Sequence, residues 1–432
     1  MAHDTIMQLN GSRNPRVVQA LHARPLRYAH VVGWGMDLPD HVMPNAAFES
    51  KVNTTDEWIY TRTGIRERRI AQPGETTTQF AIQAARRALN VAGMMPRELD
   101  LVIVATSTPE YIFPSTASLV QDALGAINAG ANDIAAACSG FVYALDLAYN
   151  KIRSGSINNA LVIGAETMSR VLDWSDRKTC ILFGDGAGAL VLKGSDTPGG
   201  ILSSVLRSDG AGWDLLTLPT VNSEHTYLRD GLREMHRIYM DGRCVFQFAT
   251  RAMAGGITAA LEQIGLAPDD LDLLVPHQAN QRILDVAAQT LGLPPERIFS
   301  NLERYGNTSA ASIPIALTEA VDAGRLKSGD VLGLVGFGGG LSWGAAVIEW
   351  GGAGAALPLA VQWPLRREQA LRAGMHRAWH RYYWRWMVYH SPSAMLRRWR
   401  RRWQRRWRQR WHGQHNNGQS RSPEPRPVTE GR

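Results

Sequence analysis

Cysteine is scarce in this chain. Its 432 residues hold three, Cys138, Cys180 and Cys244, with no paired spacing. That weighs against a disulfide framework or a cysteine zinc site and points to a reducing cytoplasm. None of the twelve histidines stands at ligand spacing to those cysteines, so no metal is expected. A run of about 18 apolar residues, the minimum for a membrane-spanning helix, is also missing. Residues 1–25 lack the continuous apolar core of a secretory signal and read as a flexible extension. Lysine is absent from residues 353–432, which hold 18 arginines against three acids, Glu368, Glu424 and Glu430. That segment carries +15 where the whole chain carries +8, leaving −7 on the rest, so the basic balance belongs to a tail. The glycine run GFGGGLSWG (336–344) lacks the lysine and spacing of a phosphate-binding loop and reads as a close-approach turn offering backbone N–H groups.

What is present is a body, residues 26–352, in which short apolar runs alternate with amphipathic ones. LVIVATS (101–107), ALVIGAE (160–166), GALVLKG (188–194), LDLLVPH (271–277), VLGLVGFG (331–338) and GAAVIEW (344–350) have the continuous hydrophobicity of strands covered on both faces. TTTQFAIQAARRALNVAG (76–93) and FVYALDLAYNKIRSG (141–155) have helical periodicity. The class expected is layered α/β. The body also resembles itself. The strand–loop–helix order of 101–125 recurs in 273–292, and ACSGFVYALDLAYNKIRSG (137–155) shares its layout with GNTSAASIPIALTEAVDAGRLKSG (306–329). The turn FGDGAGALVL resembles FGGGLSWGAAVIEW. Three pairs in the same order predict a duplicated unit with halves at 26–200 and 201–352.

Three loops carry the chemistry. In DIAAACSGF (133–141), Cys138 lies between a strand-like run, DIAAA, and a helical one, among residues small enough for a tight turn. A sulfur at a helix N-terminus is expected to favour thiolate and act as a nucleophile. Cys180 and Cys244 read instead as inert packing residues. In LVPHQAN (274–280), His277 follows an apolar strand; in RYGNTSAAS (304–312), Asn307 precedes a helical run. Taken singly, these would be a loop histidine and an N-cap. Together they supply two donors to one developing oxyanion, and an asparagine donates without taking the proton back. GDGAG (184–188) reads as a structural turn.

With TDEWIYTRTGIRERR (55–69), ACSGF, FGDGAGA, VPHQAN, RYGNTSAAS and FGGGLSWG in this order, the body closely resembles β-ketoacyl-acyl-carrier-protein synthase III. The resemblance implies the thiolase-like five-layered αβαβα fold, a homodimer and no cofactor, since acyl-CoA is a substrate. It implies that Cys138 holds the acyl group, that the N–H groups of Cys138 and Gly339 form an oxyanion hole, and that His277 and Asn307 stabilise the enolate formed as malonyl-acyl-carrier protein loses CO₂. It places CoA on Thr54, Trp58, Arg62, Arg177, Gly242 and Asn280, with adenine between Trp58 and Arg177. It gives the acyl pocket Phe113, from the partner subunit, and Phe246, and gives carrier-protein docking Arg282. The chain departs from the resemblance at the docking patch. Gln247, Gln289 and Thr290 replace frequent lysines, and Arg243 replaces a smaller polar residue.

Residues 353–432 fall outside the resemblance. They hold eight of the fourteen tryptophans, and MLRRWRRRWQRRWRQRW (395–411) repeats tryptophan every fourth residue. Four-residue steps on a helix drift by about 40° each, so the four indoles share one face among arginines. An anionic membrane surface ranks first as its partner, a packed arm second and nucleic acid third. From about residue 412 the composition is that of disorder. The expected function is the initiating condensation of fatty-acid synthesis, in the cytoplasm, with the tail a means of peripheral membrane attachment. Related acyltransferases and condensing enzymes of polyketide, quinolone or long-chain olefin synthesis share the triad. An interaction protein acting through its cationic tail is the alternative of another class.

Overall fold

The computed structural model describes residues 27–220 and 236–351, together with 374–375, 378–379 and 382–383. The extension at 1–25 and the tryptophan-repeat segment of the tail lie outside the described residues. The chain divides into two units, Met1–Ala370 and Leu371–Arg432. In the second, the described residues are helical, and Trp379 and Tyr383, four residues apart, stack at 5.0 Å between ring centroids.

The first unit is built on two sheets of matching topology. One contains β1 (Tyr28–Asp37), β2 (Leu101–Ala105), β3 (Gly130–Ile134), β4 (Asn159–Thr167) and β5 (Asp185–Ser195), in the spatial order β1-β5-β4-β2-β3. The β1/β5 and β5/β4 pairs are antiparallel; β4/β2 and β2/β3 are parallel. The other contains β6 (Gly200–Ser208), β7 (Leu273–Pro276), β8 (Val331–Gly338) and β9 (Ser342–Glu349), in the order β6-β9-β8-β7. Again the first two pairs are antiparallel and β8/β7 is parallel. A single parallel bridge, Leu274 to Ile298, stands where the fifth strand would lie. The six apolar runs all fall on strands. Strands β1 and β6 lack a continuous apolar run: Gly33 and Gly35 of β1 are buried where a Cβ would meet the Ala88 and Ala84 carbonyls, and Ser203 and Ser204 interrupt β6. The run DIAAA is strand only as far as Ile134.

Three helical layers separate and cover these sheets. Helix α1 (Asp56–Thr63) packs beside the turn Asn45–Phe48; α2 (Thr77–Val91) and α3 (Thr116–Leu124) cover the outer face of the first sheet. Helix α4 (Gly140–Arg153) lies between the sheets. Helices α5 (Gly242–Glu262) and α6 (Gln281–Leu291) cover the outer face of the second sheet, and α7 (Ser312–Asp322) joins α4 in the centre. The period-two geometry of a strand explains why one run serves two cores. Leu101, Ile103 and Ala105 of β2 face Phe141 and Leu145 of α4, whereas Val102 and Val104 face Phe80 of α2 and Val120 of α3. The result is the thiolase-like αβαβα arrangement. Close approach in the middle layer needs Gly164 of β4, where a Cβ would meet the Ala310 carbonyl oxygen. The start of α7 therefore rests on the sheet itself.

Candidate active site

Both central helices begin from equivalent elbows. A 3₁₀ turn, Ala137–Ser139, leads into α4, and another, Ser309–Ala311, leads into α7. The first residue of each turn is held in the left-handed region, Ala137 at φ 46° and Ser309 at φ 50°. This conformation is disfavoured for residues other than glycine and persists only where packing enforces it. Here the two elbows pack together between the sheets. Cys138 sits on the first, its Sγ donating to Ser309 Oγ on the second at 3.5 Å.

The other two expected catalytic residues are brought to the same place. His277 follows β7 and its N–H donates to the Val335 carbonyl of β8. Its Nδ1 lies 2.6 Å from Ser312 Oγ, the first residue of α7, and Phe337 packs edge-on to its ring. The Asn307 N–H donates to the Leu182 carbonyl, and its Oδ1 accepts the Ser309 N–H at 2.8 Å. Cys138, His277 and Asn307 together line a cavity of about 730 Å³. All three are buried. Burial alone lowers the His277 imidazole to about 3, so it is neutral across the physiological range.

Burial also corrects one expectation. A helix N-terminus favours thiolate, yet in the resting pocket desolvation, opposed by the Ser309 bond, pushes the Cys138 thiol up to about 12. Cys180 and Cys244 do not line the cavity, and Cys180 is buried with its thiol pushed up to about 11 by desolvation.

From this floor the cavity runs past Gly339, Phe246 and Gly242 to a mouth ringed by Trp58, Arg62, Arg177, Lys178, Arg243, Asn280 and Arg282. Gly338, next to Gly339, presses so closely on the elbow that a Cβ there would meet the Cys138 nitrogen at 2.6 Å. Trp58 and Arg177 do not leave a slot for a base: the Arg177 guanidinium lies 4.5 Å from the indole centroid and donates to the Asn53 carbonyl. The Arg62 guanidinium lies 5.0 Å from the same indole. The polar atoms of Asn280 are engaged in structure. Its Oδ1 caps α6 through the Arg282 N–H, and its Nδ2 donates to the Arg62 carbonyl. Arg282 lies over the Phe246 ring at 5.6 Å. Thr54 is not among the lining residues, and its buried Oγ1 has no hydrogen-bond partner. Phe113 is also absent from this chain's cavity. It is 85% exposed, beside the exposed Tyr111 and Ile112.

Sequence reasoning missed four residues that build the site. Ser309 and Ser312 were hidden in a small-residue loop. Glu166, at the end of β4, is fully buried and accepts from Ser309 Oγ at 3.0 Å. Arg68 is fully buried, and among the described residues no carboxylate pairs with it; it donates to Asn45 Oδ1 and the Ile181 carbonyl and stacks on Phe48. Its side chain thereby ties α1's neighbourhood to the loop carrying Arg177. The signal available for Glu166 was an acid closing an apolar strand, ALVIGAE. Among the described residues no group of three or more histidine, cysteine or acidic side chains is placed to hold a metal, and no helix is long and apolar enough to cross a membrane.

Two family models match the chain. The model described as 3-oxoacyl-[acyl-carrier-protein (ACP)] synthase III matches residues 132–210, and the one for its C-terminal region matches residues 261–350. The first match contains Cys138; the second contains His277, Asn307 and Gly339. The β-ketoacyl-[acyl-carrier-protein] synthase III of Roseiflexus sp. (strain RS-1) is 50% identical over 324 residues, 75% of this chain and 98% of that one. The enzyme of the same description from Desulfitobacterium hafniense (strain Y51) is 51% identical over 321 residues, 74% of this chain and 97% of that one. The solved structure of the synthase III from Thermus thermophilus is 48% identical and superposes with a TM-score of 0.72, covering 75% of this chain and all of that one.

Proposed function

The chain belongs to the β-ketoacyl-acyl-carrier-protein synthase III family, the condensing acyltransferases that initiate fatty-acid synthesis, and on that premise we propose that Cys138, His277 and Asn307 run its reaction in two stages. The observation that carries this reading is the convergence of all three on one cavity floor beneath an arginine-rich mouth. In the first stage an acyl-CoA enters. The Cys138 sulfur attacks its thioester carbonyl, the N–H groups of Cys138 and Gly339 hold the oxyanion, and CoA leaves. In the second stage malonyl-acyl-carrier protein takes its place. His277 and Asn307 donate to its thioester carbonyl, CO₂ departs, and the enolate attacks acyl-Cys138 to give 3-oxoacyl-acyl-carrier protein.

The hydrogen bonds support these roles. Asn307 spends Oδ1 on the Ser309 N–H, leaving its NH₂ group for the cavity. With the Ser312 hydroxyl donating to Nδ1, neutral His277 carries its proton on Nε2 and donates from there. Two neutral donors stabilise a developing enolate without holding the malonyl carboxylate in place, so the carboxylate is free to leave. No step calls for a cofactor.

Around this chemistry we assign the mouth to CoA. Trp58, Arg62 and Arg177 take the nucleotide once Arg177 swings off the indole, and Gly242 and Asn280 border the pantetheine. Thr54 lies behind them rather than on the cavity wall. Arg282, joined by Arg243, docks the acidic carrier protein. The exposed Tyr111, Ile112 and Phe113 form a face of a homodimer, with Phe113 reaching the acyl pocket of the partner. The halves 26–200 and 201–352 are the duplicated units. The enzyme works in the cytoplasm, and the arginine–tryptophan tail brings it to an anionic membrane surface. Intact-mass spectrometry after incubation with acyl-CoA thioesters tests the central claim: an acyl adduct on wild type that is absent from Cys138→Ala is expected, and no adduct from any chain length sinks it. Sedimentation analysis tests the dimer, and liposome co-sedimentation of the full chain against a version ending at Gly352 tests the tail.

A further inference from the structure

Glu166 has no part in the two stages above, yet it lies one hydroxyl away from the nucleophile. Its carboxylate is fully buried at the end of β4. It accepts from the Ser107 N–H, from Thr106 Oγ1 and Thr108 Oγ1, and from Ser309 Oγ. These groups are neutral, and among the described residues no cation pairs with it. Asp185, the other buried carboxylate at this end of the sheet, is turned to Ala71 and Ser169 instead. The titratable group that Glu166 meets is Cys138, through Ser309. The direction of the bonds is what matters. The Cys138 thiol donates to Ser309 Oγ, and Ser309 Oγ donates to Glu166 Oε1. Ser309 occupies in the second elbow the strained position that Ala137 occupies in the first, so its hydroxyl is held between the two groups.

Resting on the acyl-transfer reading above, we propose that Ser309 and Glu166 form a proton relay that takes the Cys138 proton during acyl loading and returns it when Cys138 leaves during condensation. In loading, the thiol proton moves to Ser309 Oγ as the Ser309 proton moves to Glu166 Oε1. The sulfur bonds to the acyl carbon, and the CoA sulfur leaves with the electron pair of the broken C–S bond and takes a proton from water at the mouth. In condensation, the enolate carbon bonds to the acyl carbon and the Cys138–acyl bond breaks. The departing sulfur is protonated by Ser309, which is replenished from Glu166. The one proton consumed overall is the one that CoA draws from water.

Two physical points favour this route. Burial pushes the Cys138 thiol up, so a base within reach of its proton eases attack. Moving a proton along the relay exchanges one buried anion for another and never creates a second, which the dry pocket would penalise. Desolvation also pushes the Glu166 carboxyl up to about 7, where it exchanges protons near neutrality. His277, whose imidazole burial lowers to about 3, is a poor candidate for that base.

Ser309 touches the reacting sulfur and Glu166 acts through it, and the test is the pH profile of single-turnover acyl loading in wild type, Ser309→Ala, Glu166→Gln and Glu166→Asp. Wild-type loading is expected to rise through a group titrating near pH 7. Ser309→Ala and Glu166→Gln lose that inflection and load about tenfold slower at pH 7, whereas Glu166→Asp keeps it. A Glu166 acting only by its charge would instead make Glu166→Gln load faster, because removing an anion eases thiol ionisation; that outcome overturns the relay. So does a uniform slowing with the inflection intact. If Glu166→Gln does not fold, Ser309→Ala decides, since it leaves the bonds from Ser107, Thr106 and Thr108 in place. If wild-type Cys138 accepts no acyl group, the proposed function falls. The same wild-type and Ser309→Ala comparison with iodoacetamide then decides the relay separately: loss of the inflection supports it and retention overturns it.

Discussion

At the floor of the cavity, Cys138, His277 and Asn307 are buried, and their hydrogen bonds run to hydroxyls and backbone groups, with the buried Glu166 carboxylate one hydroxyl further on. At the mouth, Arg62, Arg177, Arg243 and Arg282 are exposed cations, two of them resting on one indole. The two regions handle charge in opposite ways. The floor excludes water around its hydrogen-bonded groups, so every displaced proton or electron pair is felt at full strength. The mouth keeps its charges in water, where they attract phosphates and acidic surfaces at long range and are screened by salt. Damage at the floor should therefore appear in the chemical steps, and damage at the mouth in substrate affinity. The largest effect is expected at the nucleophile. Cys138→Ala should abolish the acyl adduct and reduce condensation by more than about a thousandfold, read by mass and by product formation.

A finer cut divides the floor itself. His277→Ala and Asn307→Ala remove donors to the enolate but leave the sulfur and its elbow in place. Condensation should fall by roughly 10²–10³, the usual consequence of losing one oxyanion donor, while acyl loading stays within about tenfold of wild type. Equal loss of both stages would show that the two residues belong to the nucleophile's machinery rather than to decarboxylation.

Trp58→Ala and Arg177→Ala come next. Stacking on an indole is worth about 1–2 kcal/mol, so the KM for acyl-CoA should rise about tenfold with kcat little changed. Arg177 now covers the indole, and its removal also frees that face. If the arginine acts chiefly as a cover, Arg177→Ala will bind CoA as well as wild type does while Trp58→Ala binds it worse.

How much of this contrast could be read from residues alone differs between the two regions. The triad was legible because His277 closes an apolar strand, while Cys138 and Asn307 each stand in a run of small residues that leads into a helix. The duplicated layout predicted that such loops would meet, and the matched sheets with their paired elbows at Ala137 and Ser309 supply the geometry. The electrostatics of the floor were not legible. A sequence shows that Cys138 precedes a helix, but not that the pocket is dry enough to reverse the expected shift. Glu166 reads as an ordinary strand-end acid until Gly164 lets the second elbow settle on β4. At the mouth, residue types were evident but their engagement was not. Asn280 turned out to be a cap, Thr54 a buried hydroxyl behind the wall, and Arg177 a lid on its own stacking partner.

Acid should expose the floor's dependence on dryness. The folded-state value of His277 is lowered to about 3 from an ordinary 6.5. Its contribution to stability is thus complete above the unfolded value and is lost as pH falls from about 6.5 toward 3, because the unfolded chain binds the proton first. At pH 5.5 the loss is about 1 kcal/mol relative to pH 7.5. Denaturation of wild type and His277→Asn at both pH values isolates it from the other histidines. The variant should lose less stability on acidification, and parallel curves would mean that the imidazole is wetter than its burial implies.

The smallest effect belongs to the outermost charges. Arg243 and Arg282 stand at the mouth, while Gln247, Gln289 and Thr290 offer no charge nearby. Few cations then carry the attraction for an acidic carrier protein, and each acts through solvent. Replacing either arginine with alanine should raise the KM for malonyl-acyl-carrier protein only a few-fold, in line with about 1 kcal/mol or less for an exposed charge pair. Salt offers the sharper measurement. Wild-type KM for the carrier substrate should climb between low and physiological ionic strength, and the Arg243→Ala, Arg282→Ala double variant should climb less. Acyl loading on Cys138 at saturating acyl-CoA should be indifferent to salt, because the floor's groups lie beyond the reach of screening ions. A loading step as salt-sensitive as docking would erase the distinction between the two regions.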